Sequence, residues 1–397
     1  MRNPMRTRNF MIAAAGVAGV FALALGQAMI DDGSPAQAQG RQAPIFETDP
    51  FWPKPLPNHW LLGSAIGIDV DAQDHVWIVH RGDSLGANET PASLDPPLAA
   101  ECCAAAPPVL EFDSDGNLVG HWGGPGEGYT WPSSNHGITV DHMDNLWIGG
   151  NGGGDSHVLK FSRDGQFLLE VGEPGMNVDS NSQSHYSRVA KVSIDAGANE
   201  AYFADGYGNR RVAVVDMTTG LLKRYWGAYG NPPEDGDNGR YDPDAPLSQQ
   251  FRNPVHCAEV SDSGLIYVCD RQGDRIQVFQ KDGTFVDEVR IAASTLGAGS
   301  VWDLDFSKDD NQTYMYVADG MNQKVYILER ESLELLTSFG DGGRQAGAFY
   351  GVHSIATDSE GNIYTTETYE GKRLQKFVYK GTGPVRAMNQ GVVWPSQ

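Results

Sequence analysis

Residues 255–289 read VHCAEVSDSGLIYVCDRQGDRIQVFQKDGTFVDEV, and the order of strands and turns in this stretch decides the fold. A short apolar strand at 257–260 meets a Gly-bearing turn, a second at 266–269 ends on Asp270, and a third at 276–279 runs into the Asp282-Gly283 turn. Such short β-branched and aromatic runs, bounded by Gly, Asn or Asp, read as antiparallel strands joined by tight turns. The same order recurs about every 45 to 60 residues along the chain, a period that marks stacked structural units.

Working outward, innermost strands are expected at 67–70, 137–140, 191–194, 257–260, 303–306 and 354–357. Second strands follow at 76–79, 146–148, 201–204, 266–269, 314–318 and 363–366. Third and fourth strands carry runs such as Val158-Leu159-Lys160-Phe161 and Val325-Tyr326-Ile327-Leu328, and units close on Trp122-Gly123, Trp226-Gly227 and Phe339-Gly340. No long stretch keeps a helical period. The fold class is therefore all-β, a six-bladed β-propeller, an architecture whose sheets ring a central channel and leave only short edges. Either 43–47 or 385–388 completes the last blade, and 332–336 is a candidate outer strand.

Composition agrees. The chain has 397 residues, 48 Gly and 22 Pro, with 40% hydrophobic residues, which suits a turn-dense all-β core rather than disorder. Arg2, Arg6 and Arg8 precede an apolar run at 10–25, and Ala36-Gln37-Ala38 is a small-residue cleavage site. Residues 1–38 thus read as a secretory signal peptide and 39–397 as a single propeller domain, with blades over about 60–381. The mature chain is expected in the periplasm or secreted, with no integral membrane segment. A net charge of −22 makes nucleic acid an unsuitable partner. Four cysteines fit an oxidising compartment. Cys257 and Cys269 lie on neighbouring strands, within reach of a disulfide; Cys102 and Cys103 are adjacent in an insertion at 84–108, open to a vicinal disulfide, intermolecular pairing or free thiols.

His136, His256 and His353 occupy one register of the second, fourth and sixth units, in His-Gly-Ile-Thr-Val-Asp, His-Cys-Ala-Glu-Val-Ser and His-Ser-Ile-Ala-Thr-Asp. Inner strands line a propeller's axis, so alternate blades bring these imidazoles to one point about 120° apart. Three histidines with a fourth position left for water or substrate is the arrangement of a catalytic zinc. His75, His142 and His185 share no register and read as surface residues. Arg81, Tyr207 and Arg271 end the second strands of blades one, three and four, on the same face. There the arginines can grip an anionic substrate and a phenol set among cations can act as a base; they can equally bridge blades through Asp, with Tyr207 as a packing ring.

Arg81 in His-Arg-Gly-Asp, His136, Tyr207 in Ala-Asp-Gly-Tyr-Gly-Asn-Arg-Arg, His256 in Pro-Val-His, Arg271 in Asp-Arg-Gln-Gly-Asp-Arg-Ile-Gln and His353 in Val-His-Ser-Ile recur together. In order and blade position they resemble the functional motifs of the peptidyl-α-hydroxyglycine α-amidating lyases, over about residues 60–380, and more broadly the chain looks like NHL-repeat propellers. The resemblance implies one zinc per chain on the three histidines, Tyr207 taking a hydroxyl proton, and Arg81 and Arg271 orienting the phenolate and a substrate carboxylate. It implies cleavage of a carbinolamide to an amide and glyoxylate, with no redox cofactor. Two positions depart from the family: Gly351 stands where it has Met, and Ser354 where it has an Asp that helps hold a structural calcium. Asp303 occupies the equivalent register in blade five and could supply that carboxylate instead, and the insertion at 84–108 and the loop at 231–246 lie where they could reshape the entrance. Two rival readings share the fold. A lactonase-like hydrolase would present carboxylates suited to calcium, whereas histidines favour a softer cation; an exported binding propeller would need no such site.

Overall fold

The inner strands of the computed structural model, which describes residues 40–176 and 178–395, are Ser64–Val70, Asn135–Val140, Val189–Asp195, Val255–Val260, Asp303–Phe306 and Val352–Thr357. Each begins a four-stranded antiparallel sheet, and each touches the inner strand of the next, the sixth returning to the first. This is the six-bladed propeller the repeat implied, and the expected inner and second strands are all present, several extended by a few residues toward the histidine end. Residues 1–38, read as a signal peptide, lie outside the described residues. Among the described residues no helix is long and apolar enough to cross a membrane.

Two repeated carboxylates explain why the turns fold alike. At the end of an inner strand, Asp71 accepts backbone N–H groups of Gln73 and His75 and the indole N–H of Trp77; Asp141 does the same for Met143, Asn145 and Trp147. An Asx turn thereby reverses the chain and anchors the first aromatic of the second strand. At the opposite end Asp205, Asp270 and Glu367 close the second strands. They are paired with Arg211, Arg275 and Arg373 and also accept N–H groups of Ser187, Arg252 and Tyr350. These buried pairs fasten the entry loops of the site face to the sheets.

The last blade is closed by Gln42–Asp49, antiparallel to Arg373–Pro384. Phe46 of that strand is buried against Tyr316 and Phe339 of blade five and Tyr379 of its own sheet, contacts that select this segment. Residues 385–388 instead lean on the outer strand of blade five, Glu334–Phe339, where Ala387 and Met388 carbonyls accept from Thr337 Oγ1 and Ser338 N. Both cysteine pairs are disulfides: Cys257 and Cys269 face each other across adjacent strands, and Cys102 joins Cys103 within the insertion. That insertion is tied to the site face by the parallel pairing of Ala104–Ala105 with Trp60–Leu61 and by Lys372, which bonds Glu89 and the Ser84 carbonyl.

Candidate metal centre

At one register of the axis stand Ile66, His136, Ala190, His256, Trp302 and His353, one per blade. Each histidine hydrogen-bonds the backbone carbonyl of its neighbour at that level. His136 Nδ1 donates to Ala190 O at 2.7 Å, His353 Nδ1 to Ile66 O at 2.8 Å, and His256 Nδ1 to Trp302 O. A carbonyl only accepts, so each ring carries its proton on Nδ1 and turns an unprotonated Nε2 to the axis, the orientation that metal-binding histidines receive from their outer partners. The three rings are buried, with centroids 4.8–5.0 Å apart, and their facing nitrogens lie within 4.8 Å of one another.

Electrostatics keeps them neutral. Burial pushes His353 down to about 3, helped by the charges of Arg271 and Arg81. Burial likewise holds His136 and His256 well below the ordinary imidazole range, with neighbouring histidines adding to it, joined by Arg81 and Arg271 at His136 and by Arg271 at His256. Neutral, pre-oriented nitrogen donors, set edge-on around one point, fit the donor set of a zinc-class cation.

Tyr207 enters the same space. Its phenol oxygen lies 3.0 Å from His136 Nε2 and 3.1 Å from His256 Nε2 and accepts Arg271 Nη1 at 2.9 Å. The flanking glycines make this possible: a Cβ on Gly206 would sit 2.0 Å from the Val255 carbonyl, and one on Gly208 would meet Ser187 Oγ at 1.9 Å. Arg271 is further fixed by Ala298 O at 3.0 Å and lies 4.8 Å over the Trp302 ring. Arg81 is held from blade two, its Nε on Asn135 O at 3.0 Å and Nη2 on Asn151 Oδ1 at 2.8 Å. Burial lowers its guanidinium from the usual value, and its charge acts on Tyr207 without a direct hydrogen bond. All six residues singled out in the sequence therefore gather on one face, five of them around one point and Arg81 at its edge.

Other residues were not singled out. Trp302 backs His353 at 5.5 Å between centroids and supplies the carbonyl that orients His256; Asn151 and Asn253 hold Arg81 and the Tyr207 carbonyl. For Trp302 the signal was register: it stands one residue before Asp303, level with the histidines. His75, read as a surface residue, is half-buried, 2.6 Å from Glu111 Oε1. It belongs to a cluster with Asp71 in which Arg163 already pairs both carboxylates.

One register below the histidines the axis is ionic. Lys191 Nζ lies 2.8 Å from Asp303 Oδ1 and 3.0 Å from Glu259 Oε1, with Asp303 buried and Lys191 and Glu259 partly so. Asp303 thus faces the axis as the sequence indicated, but with an ammonium already on it. Carboxylates matched by an internal cation are a poor calcium site.

No family model matches the chain. Among curated proteins it is 24% identical over 340 residues to peptidyl-glycine alpha-amidating monooxygenase B of Xenopus laevis, covering 82% of this chain but only 34% of that protein. It is 24% identical over 299 residues to NHL repeat-containing protein 3 of Mus musculus, covering 74% and 70%. It is 24% identical over 363 residues to peptidyl-alpha-hydroxyglycine alpha-amidating lyase 1 of Drosophila melanogaster, covering 83% and 59%. The likeness supports an NHL-type propeller and stops short of the lyase itself. A solved structure titled streptogramin B lyase superposes with a TM-score of 0.51 at 12% identity, over 86% of this chain and 98% of that one, which bears on fold alone.

Proposed function

We propose that the chain is an exported, zinc-dependent carbon–nitrogen lyase that splits a peptidyl- or N-acyl-α-hydroxyglycine into an amide and glyoxylate. The observation that carries this reading is the meeting of three unprotonated Nε2 atoms with the Tyr207 phenol and Arg271 at one point. His136, His256 and His353 would hold the cation, which when bound supplies Lewis acidity at its open position and makes a substrate hydroxyl easier to deprotonate. Tyr207 takes the hydroxyl proton. The O–H electron pair becomes the carbonyl of glyoxylate, the C–N bond breaks, and the proton passes to the departing amide nitrogen, so nothing is oxidised or reduced. Arg271 stabilises negative charge on the phenol oxygen, and Arg81, anchored on one edge only by Asn135 and Asn151, holds the substrate carboxylate. The disulfides Cys102–Cys103 and Cys257–Cys269 accord with an oxidising destination.

The test is glyoxylate release from α-hydroxyglycine compounds by zinc-reconstituted protein. Tyr207→Phe should lower turnover on the order of 10²- to 10⁴-fold, the size of a general-base contribution, while zinc content stays unchanged. Turnover that survives the substitution would remove Tyr207 from its role, and absence of glyoxylate with the native chain would remove the lyase.

A further inference from the structure

The second strands of blades three and six end alike. Asp205-Gly206-Tyr207 and Glu367-Thr368-Tyr369 are followed by Arg211 and Arg373, each paired with the acid across the strand. Tyr369 is thus the counterpart of Tyr207 on the opposite side of the ring. The correspondence extends to the next blade round. Tyr207 is served by Arg271 of blade four, and Tyr369 lies within electrostatic range of Arg81 of blade one. Unlike Tyr207, Tyr369 does not reach the histidines: 54% of it is exposed.

Three features hold its ring at the rim. Its backbone takes the left-handed φ of 51°, rare for an aromatic residue and the kind of strain that collects at ligand sites. Its ring stands edge-on to Trp302 at 6.2 Å, the same indole that backs His353 and Arg271. Gly351 gives it room, since a Cβ there would meet Tyr369 Cδ2 at 3.2 Å. Beyond Trp302 the rim of blade five adds exposed Leu296 and Met321, on loops joined by Asn322 Nδ2 to Thr295 Oγ1 at 2.9 Å. Across the axis the rim is polar, with Ser134 and Asn151 beside Arg81. A substrate whose carboxylate lies at Arg81 and whose carbinol faces the histidines meets polar rim toward Ser134 and Asn151 and apolar rim toward Tyr369, with Leu296 and Met321 beyond the buried Trp302.

We propose that Tyr369 is a specificity-determining residue which, with Trp302 behind it, receives an aromatic or extended apolar acyl group, so that the preferred substrate is an N-aroyl- or apolar N-acyl-α-hydroxyglycine. This rests on the lyase reading for the reaction but has a binding test of its own. N-benzoylglycine and N-acetylglycine, unreactive carboxylates that differ in the acyl group, are titrated calorimetrically into the zinc-reconstituted full chain. The native protein should favour the benzoyl compound by about tenfold, and Tyr369→Ala should erase that preference while leaving N-acetylglycine binding within about twofold, the scale of one aromatic contact. Tyr369→Phe should keep it, and an unchanged thermal midpoint establishes that the Ala variant is folded. Equal binding of both ligands by the native protein, binding of neither, or a preference that survives Tyr369→Ala would overturn the assignment. The two readings separate cleanly: a benzoyl preference lost in Tyr369→Ala, with no glyoxylate from α-hydroxyhippurate, removes the lyase and leaves the aromatic subsite standing.

Discussion

Around the upper axis three imidazole nitrogens face one point with a phenol among them, whereas one level below Lys191 places an ammonium between Asp303 and Glu259. Both levels are enclosed by the same six strands, so the low-dielectric surroundings are shared and the chemistry is not. Below, the sequence supplies two acids with one counter-ion between them, so an internal charge already answers the carboxylates in part. Above, it supplies neutral donors near Arg81 and Arg271, with no carboxylate or ammonium among them, so a cation there, as proposed, would have to come from solution. Clustered titratable groups are therefore not equivalent as metal candidates: what separates them is whether an internal charge already answers them. The Asp71, His75 and Glu111 cluster, occupied by Arg163, falls on the Lys191 side of that division.

The sharpest way to break the comparison is metal analysis. Replacing His136, His256 and His353 by Ala should abolish stoichiometric zinc after reconstitution, while Asp303→Asn and Glu259→Gln should leave it near one per chain; zinc lost from the lower-axis variants instead would invert the division. Next in size, Lys191→Met strands the buried Asp303 carboxylate and the partly buried Glu259 and should cost about 3 kcal/mol in denaturant unfolding. Converting Asp303 and Glu259 to their amides in the same background should recover most of it, and a Lys191→Met protein as stable as the native one would show that the ammonium is not what neutralises the axis.

The Cys257–Cys269 bridge takes Cys257 out of the lower register as a soft ligand. It closes a loop with a sequence separation of 12, so Cys257→Ser with Cys269→Ser should cost about 2–3 kcal/mol with zinc content unaltered. The smallest effect is the pH response of chelator-treated protein. His353, pushed down to about 3, contributes stability present above its unfolded value and lost as pH falls toward 3. Asp69, pushed up to about 6 by burial, contributes in the opposite sense, its stability present at low pH and lost as pH rises through 6. Each slope approaches about 1.4 kcal/mol per pH unit. Unfolding curves at pH 6 and pH 4 should show a smaller acid loss for His353→Asn and a larger one for Asp69→Asn, and the reverse order would mean that these groups do not titrate as their surroundings dictate.

The blades and the histidine register were legible because both rest on periodicity: alternation places one residue of each inner strand on the axis, and repetition says which. Arg81, Tyr207 and Arg271 were legible as ends of second strands. What escaped were partners that come through space from a neighbouring blade. Nothing in Lys191 or Asp303 alone announces their pairing across the axis, and nothing in Trp302 as a residue type announces that its carbonyl orients His256. The choice between two closing segments also depended on packing, because only Gln42–Asp49 brings Phe46 into the cleft between blades five and six.

That closing strand sets an order of events. His353 lies in a sheet assembled from Val352–Thr357, Ile363–Glu367 and Arg373–Pro384 together with a strand that precedes every other blade in the chain. Its Nδ1 partner, Ile66, belongs to the first blade, so the third donor is oriented only across the seam where the ring meets itself. A chain still being synthesised has two donors at most and no seam. Under the proposed metal reading, loading of the centre would be a late step, and metal retention would report that both ends of the polypeptide have found each other.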